Sequence, residues 1–404
     1  GEFSPIKTKT PGLHICEHLP ELAKRSDRWA LCRSVTHRWN EHSQGHHIML
    51  TGRSETPSGF DPNKPRPEDY PSIAAMANRH LKGSGPLPPS MVLPEKIIHR
   101  TGRTLPGQFS GLMGERWEPF FLDCSKYNAA SYGAYPDYLF HHGKGKINGT
   151  NKKFLEPDLS LPDAVGLDRL EDRIGITRYL DSQQKFFENE ASVREFDRYT
   201  NMAISLLADP KTKSAFNVHG ADSKTQDKYG RNSFGWSLLM ARQLVEAGVK
   251  LVQVNLGNNE AWDTHQAAFP CLKNYLLPPT DQAVSALLDD LHDRGMLEDT
   301  LVVMASEFGR TPKIFKIPNA KLPGRDHWGA VQTVLFAGGG INGGAVVGSS
   351  DSNGGHPASE PHSPEDFAAT IYKALGIPDD AHWEDLTGRP HPIYHGSPIK
   401  KLFS

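Results

Sequence analysis

The sequence has few cysteines and no long apolar run, and these absences exclude several classes of protein. Cysteine occurs only at Cys16, Cys32, Cys124 and Cys271, with no CxxC pair among them. A zinc ribbon and a dense disulfide framework are therefore excluded, although one or two disulfides remain open. No apolar run approaches the roughly 18 to 20 residues that cross a bilayer, and the first residues do not have the pattern of a signal segment.

Charge of one sign is not in excess either, which argues against a polyanionic partner. Lysine and arginine number 45, aspartate and glutamate 47, and the formal net charge is -2. There is no long basic stripe of the kind that binds nucleic acid. With 37% hydrophobic residues, the chain can bury a substantial core, so we expect folded structure rather than disorder.

Apolar periodicity in the carboxyl-terminal half predicts alternating strands and helices. Strands are predicted at KLVQVNL, TLVVMAS and VQTVLFAGG. A helix is predicted at HSPEDFAATIYKALG, with Ser363 as N-cap, Asp366 as its capping-box partner and Gly376 at its end. Val- and Leu-rich strands that alternate with helices are typical of a sheet covered on both faces. We therefore expect an α/β fold with a mostly parallel sheet, as one elaborated domain over residues 1–404.

The amino-terminal half is less regular. Residues 13–35 predict an amphipathic helix around Leu19 and Leu22, followed by a short strand at WALCRSV. Another helix is predicted near SIAAMANRHL, between loops rich in Pro and Gly. Residues 163–209 carry apolar positions at helical spacing among many charges, which predicts a helical insert or cap beside the sheet.

Acidic and imidazole side chains flank three predicted strands, in the segments EAWDTH, SEFGR and GRDHW. They are Asp263, His265, Glu307, Asp326 and His327, with Arg310 and Arg325 beside them. Ligands in open α/β sheets bind beyond the carboxyl ends of the strands, so we expect these groups at one rim. Carboxylates and imidazoles without thiolates suit zinc, manganese or another divalent cation. Each segment alone is more often a solvated loop, but three beside core strands favour a shared metal site.

A histidine-rich segment, THRWNEHSQGHHIMLTGR at residues 36–53, supplies further candidates. The plain alternative is a loop whose imidazoles are hydrated. The functional interpretation places a hydroxyl nucleophile or a metal-binding imidazole near Ser43, at the start of a helix whose free N–H groups favour an anion. On this interpretation Ser43 and His42 are catalytic candidates, and His46 is a candidate for substrate binding.

The order of these motifs resembles that of the alkaline phosphatase superfamily. TLVVMASEFGR is similar to the strand that ends in an acidic metal ligand in phosphatases and sulfatases, and LVQVNLGNNEAWDTH to the strand that leads to an Asp and a His on one metal. DHWGAVQTVLFAGGG is similar to the last ligand-bearing His entering a strand, and IMLTGR to the sulfatase segment after the nucleophile. Over nearly the whole chain, the sequence most resembles the bacterial domain-of-unknown-function family 1501, often labelled sulfatase-like.

The resemblance implies an alkaline phosphatase-like fold with a metal site. Asp263, His265 and His327 would hold one metal and Glu307 a second, with Asp326 as a further ligand or an orienter of His327. Zinc is the implied ion, with manganese, magnesium or calcium as alternatives. Phe308 departs from the pattern, because phosphatases often carry a second ligand after the equivalent of Glu307, and the nucleophile has no unambiguous counterpart.

The implied function is hydrolysis of phosphate or sulfate esters. Arg310 would be catalytic and Arg325 would bind the anionic ester of a small molecule or polysaccharide. The protein would be periplasmic or extracellular. The alternatives are a noncatalytic surface or polysaccharide-binding protein with a degraded site, and a metal-dependent phosphomutase or nucleotide phosphodiesterase. Family members usually carry an export signal, a first strand and an Asp ligand before the equivalent of GEFSPI, so we expect that an amino-terminal segment is missing.

Overall fold

The computed structural model of the protein describes residues 1–125, 127–129, 131–148, 152–157, 210–257 and 260–403. The strands are β1 Pro5–Lys7, β2 His14–Cys16, β3 Trp29–Val35, β4 Ser90–Leu93, β5 Phe120–Phe121, β6 Phe140–His141, β7 Gly145–Lys146, β8 Leu251–Val254, β9 Val302–Met304, β10 Gly309–Arg310, β11 His327–Trp328, β12 Gln332–Ala337, β13 Val346–Val347, β14 Ser349–Ser350, β15 Pro357–Ser359, β16 His382–Glu384 and β17 Pro390–Pro392. The helices are α1 Pro20–Ala23, α2 His42–Thr51, α3 Ile73–His80, α4 Pro210–Ser214, α5 Ser223–Tyr229, α6 Ser233–Glu246, α7 Ala268–Cys271, α8 Leu277–Asp293 and α9 Pro364–Ala374. The insert predicted at 163–209 lies outside the described residues.

Two sheets carry the strands that lead to the predicted site, with strand orders β13-β3-β12-β9 and β5-β4-β8. In the first sheet β12 runs antiparallel to both neighbours, β3 and β9, whereas β13 runs parallel to β3. In the second, β4 runs parallel to β5 and to β8. The two sheets are therefore small, one mixed with four strands and one parallel with three, and the large, mostly parallel sheet expected from the sequence is not confirmed.

The predicted α/β character is confirmed. The apolar pattern of a strand, however, does not indicate whether the strand pairs in parallel or antiparallel. Leu335 and Ala337 of β12 belong to one hydrophobic cluster, and Val334 and Phe336 belong to another. Helices α6 and α8 contribute to the first cluster and α2 and α9 to the second, so helices cover both faces. A strand buried on both faces is apolar whichever way it runs, and for this reason the sequence pattern favoured parallel pairing too strongly.

Hydrogen bonds at the element ends confirm one predicted helix and correct another. At α9 the Ser363 side chain accepts from the N–H of Asp366, and the Asp366 carboxylate accepts from the N–H of Ser363, so the capping box is complete. The helix predicted within residues 13–35 is reduced to α1, because β2 pairs with β1 and β3 enters the larger sheet.

The structure also answers two questions that composition left open. All four cysteines are free thiols, so no disulfide links the chain. Among the described helices, none combines the length and the apolar character that a membrane-spanning segment needs. Packing between sheets and helices therefore has to stabilise the described fold without a covalent cross-link.

A buried histidine on α2 makes the stability of the fold depend on pH. His47 is fully buried, and neither of its ring nitrogens has a hydrogen-bond partner among the described residues. The ring packs against the rings of Phe60 and Tyr70. Burial disfavours the charged imidazolium, and it lowers the pKa of His47 to about 3.

We expect the folded state to become less stable in acid, because it buries His47 in the neutral form. The unfolded chain takes up the proton near pH 6.5 and the folded chain only near pH 3, so the stabilising difference is lost as the pH falls below about 6.5. The maximal slope for one such group is about 1.4 kcal/mol per pH unit. His47→Phe should therefore flatten the free energy of unfolding, measured with urea between about pH 6.5 and pH 5.

The matched control is His14→Phe, because His14 is exposed on β2 and should leave the slope as in the wild type. A His47→Phe variant that folds but keeps the full acid slope would contradict this account of His47.

Candidate metal centre

Two imidazoles converge on one carboxylate oxygen, that of Asp263. Asp263 Oδ1 lies 3.0 Å from His265 Nε2 and 3.0 Å from His327 Nε2. The two imidazole nitrogens are themselves 3.0 Å apart. Asp263 and His265 lie in the loop after β8, and His327 is the first residue of β11. The three atoms therefore form a triangle with equal sides, which we call the Asp263 triangle.

The tautomer of His327 follows from its second ring nitrogen. Nδ1 lies 2.6 Å from the backbone carbonyl oxygen of Asn40, which only accepts, so Nδ1 carries the hydrogen. In the neutral ring Nε2 then presents a lone pair to Asp263. His265 Nδ1 lies 3.4 Å from Asp326 Oδ1. This contact orients the His265 ring like that of His327, with Nε2 toward Asp263. Lone pairs that face one another across 3.0 Å repel unless a cation or a shared proton lies between them.

His42, at the start of α2, brings a third imidazole to the same carboxylate. Its Nε2 lies 3.3 Å from Asp263 Oδ2, and its Nδ1 lies 2.9 Å from Glu307 Oε1. Burial opposes protonation of this ring, but the neighbouring carboxylates of Asp263 and Glu307 outweigh it and raise the pKa of His42 to about 10. The surroundings of His42 therefore stabilise positive charge.

Arg310 is bound to the loop that carries Asp263. Its Nη1 donates to Asp263 Oδ1 at 2.7 Å, and its Nη2 donates to the carbonyl oxygen of Trp262 at 3.1 Å. Burial opposes ionisation of Asp263, but His265, His327, His42 and Arg310, which surround its carboxylate, hold its pKa far below the usual range. The carboxylate is therefore ionised, and Arg310 is already engaged with it.

Glu307 belongs to a second group of potential ligands, with His42 and His46 of α2. His46 Nε2 lies 3.7 Å from Glu307 Oε1. Gly45 makes the approach of the helix possible, because a side chain there would meet the Phe308 ring at 3.0 Å and Glu307 Cβ at 3.2 Å. Burial lowers the pKa of His46, so this ring is neutral and able to bind a cation.

Ser43 does not share the surroundings of His42. It is 2% exposed, and its hydroxyl donates to the carbonyl oxygen of Pro62 at 2.6 Å. The side chain of His42, and not that of Ser43, is therefore the one that α2 presents to Asp263.

The segment before β11 supplies the remaining predicted residues. Asp326 is 55% exposed and lies beside the ring of His265, while its Oδ1 accepts from the backbone N–H of His327. Arg325 donates to the carbonyl oxygens of Thr311 and Pro312. No carboxylate pairs with Arg325 in the described part of the chain. Its positive charge is therefore not neutralised locally.

A mostly buried pair at the edge of the site was not predicted from the sequence. His99 Nε2 lies 2.5 Å from Glu260 Oε1, and the ring of His99 lies 6.3 Å from that of His42. Glu260 adopts a left-handed conformation with φ 60. Glu260 is the first residue of the EAWDTH segment. No periodic pattern connects it to His99, which lies in a turn and is distant from Glu260 in the sequence.

The ring of Phe308 packs against the imidazoles of His327 and His42. It is 3% exposed, and its ring lies 4.4 Å from that of His327 and 5.4 Å from that of His42. We expect Phe308→Ala to lower the free energy of unfolding by about 3 to 5 kcal/mol, because it removes a buried ring and leaves a cavity. Phe308→Leu should cost less, because it retains most of the apolar volume. Urea unfolding of both variants measures this, and a Phe308→Ala protein as stable as the wild type would contradict it.

A family model described as "Protein of unknown function (DUF1501)" matches residues 1–403. The match lends no support to the expected loss of an amino-terminal segment. No curated protein matches the chain.

Solved structures with some similarity to the chain include two of Ps i-CgsB. The one in complex with k-i-k-neocarrahexaose has a TM-score of 0.40 and 13% identity, covering 89% of this chain and 67% of that one. The other has a TM-score of 0.41 at the same identity and coverage. Phosphonate monoester hydrolase SpPMH from Silicibacter pomeroyi has a TM-score of 0.37 and 12% identity, covering 95% and 72%. Similarity at this level does not establish a shared function.

Proposed function

The chain belongs to the DUF1501 family of proteins of unknown function, and we propose that this member is a metal-dependent hydrolase of phosphate or sulfate esters. The observation that supports the proposal best is the Asp263 triangle. Its three atoms lie 3.0 Å from one another. Ligand atoms that are each about 2.0 to 2.2 Å from one ion can have this separation. One carboxylate with imidazoles suits zinc or manganese better than magnesium or calcium, which prefer oxygen ligands.

The surrounding residues hold these ligands in place. Asn40 fixes the ring of His327, Asp326 lies beside that of His265, and Arg310 binds Asp263. A divalent ion in this position would act as a Lewis acid toward the ester. Arg310 thus serves to position a ligand, which differs from the direct catalytic role that the family resemblance suggested.

Arg325, a water molecule and His46 complete the proposed mechanism. Arg325 has no carboxylate partner in the part of the chain that the structure describes, and its guanidinium suits the anionic ester of the substrate. Attack by Ser43 would first require its hydroxyl to leave the carbonyl of Pro62, so we propose that a water molecule is the nucleophile. His46, whose imidazole is neutral, remains a candidate for contact with the substrate.

Two features of the proposal rest on the family resemblance alone. The first is that the substrate is an ester of a small molecule or of a polysaccharide. The second is that the protein works in the periplasm or outside the cell.

The proposal predicts that metal-free protein takes up zinc and then hydrolyses 4-nitrophenyl phosphate or 4-nitrophenyl sulfate. Asp263→Asn and His327→Ala each remove an atom of the Asp263 triangle, so both should lose the ion and the activity. The loss should exceed the about 10- to 100-fold effect that is typical of mutating the partner of a ligand. The matched control is Asp27→Asn, which alters an exposed ion pair with Lys9 and should keep wild-type metal content and rate.

Metal content and turnover separate the competing hypotheses. A wild-type protein that binds no divalent ion at neutral pH would contradict the metal site itself. A protein that binds the ion through Asp263 but hydrolyses neither ester would favour the noncatalytic alternative.

A further inference from the structure

We infer that His42 is the fourth ligand of the ion held by the Asp263 triangle. We infer also that Glu307 is a positioning residue that orients His42, and not a ligand of a second ion. The inference rests on the proposed function, because it assumes that the triangle binds a divalent cation. It departs from the two-metal arrangement that the family resemblance implies.

His42 Nε2 is a buried nitrogen that has no hydrogen-bond partner among the described residues, although it lies 3.3 Å from Asp263 Oδ2. The ring of His42 lies 4.4 Å from that of His327, at an angle of 69°. A buried nitrogen without a partner carries a desolvation cost, which a bound cation would remove.

The imidazoles of His42, His265 and His327 share one arrangement. Each turns Nε2 toward Asp263 and Nδ1 toward an oxygen acceptor. The acceptors are Glu307 Oε1 at 2.9 Å, Asp326 Oδ1 at 3.4 Å and the carbonyl oxygen of Asn40 at 2.6 Å. Metal-binding histidines commonly donate their other N–H to a carboxylate or a backbone carbonyl, which fixes the tautomer and orients the ring. Glu307 relates to His42 as Asn40 relates to His327.

The second group, which contains His42, His46 and Glu307, and the Asp263 triangle cannot both use His42 as a ligand. An imidazole that binds a metal ion has released one proton and offers a lone pair on only one nitrogen, so His42 can bind an ion either beside Asp263 through Nε2 or beside Glu307 through Nδ1. Without His42, the second group retains only Glu307 and His46, and the next residue, Phe308, contributes a ring without ligand atoms. The Asp263 triangle already has three ligand atoms and gains a fourth.

A hydrogen bond from His37 fixes the backbone of Glu307, which suits a residue that orients His42. The backbone N–H of Trp39 donates to His37 Nδ1, so His37 Nε2 carries the hydrogen and donates to the carbonyl oxygen of Glu307 at 2.8 Å. The carboxylate that meets His42 is thus attached to a fixed backbone. Four protein ligands do not exclude catalysis, because zinc also accepts a fifth.

The test is metal stoichiometry, measured by equilibrium dialysis of the full chain with zinc and followed with cobalt(II) by its visible absorption spectrum. The wild type should bind one equivalent. His42→Ala should weaken binding by at least about 10-fold and change the cobalt spectrum, because one nitrogen ligand is lost. Glu307→Gln keeps an oxygen that accepts from His42 Nδ1, so it should retain one equivalent and a near wild-type spectrum. Glu307→Ala should bind about 10- to 100-fold more weakly.

The matched control is His46→Ala. His46 lies one turn after His42 on the same helix and next to Glu307, but it is outside the inferred ligand set. This variant should keep the stoichiometry and the cobalt spectrum of the wild type. Urea unfolding of each metal-free variant separates loss of a ligand from loss of fold, and Glu307→Gln offers a conservative change if His42→Ala does not fold.

The outcomes distinguish the inference from the proposed function. Two equivalents in the wild type, falling to one in His46→Ala or Glu307→Gln, would overturn the inference and leave a two-metal hydrolase. A His42→Ala protein with unchanged affinity and spectrum would also overturn it. A wild type that binds neither zinc nor cobalt would overturn the proposed function together with the inference.

Discussion

The candidate site is organised around one mostly buried negative charge, the carboxylate of Asp263. Its side chain is only 11% exposed, and a buried carboxylate is stable only when cations or hydrogen-bond donors surround it. Arg310 supplies one positive charge to this carboxylate, and the imidazoles of His42, His265 and His327 complete its surroundings. His327 Nδ1 already donates to Asn40, so its neutral ring has no hydrogen for Asp263. A divalent cation would satisfy these facing lone pairs together.

The fold brings these groups together by close packing of a helix on a strand end. Gly45 lets α2 approach Glu307 and Phe308, which places His42 next to Asp263. Gly324 has a similar role, because a side chain at this position would lie 2.2 Å from the backbone of His265. Larger residues at either position would separate the segments, so the site depends on backbone contacts as well as on its ligands.

The sequence predicted which loops meet better than it predicted how their side chains are arranged. Asp263, His265 and His327 were predicted because each lies beside a strongly apolar strand, and the structure brings their ligand atoms together. The choice between His42 and Ser43 depends on which side of α2 faces the site, since neighbouring helix residues point about 100° apart, and that requires knowledge of packing. The role of Asn40 belongs to its backbone carbonyl, which no side-chain pattern reveals. The direction of β12 was equally hidden, because a strand buried on both faces is apolar whichever way it runs.

The most direct measurement is anomalous diffraction at the zinc edge from crystals of the wild-type protein grown with zinc. This account predicts an anomalous peak within about 2.0 to 2.2 Å of Asp263 and of the Nε2 atoms of His265 and His327, with His42 Nε2 completing the set. A density map at saturating zinc with no peak in this position, and with only Arg310 and the imidazoles around Asp263, would contradict it.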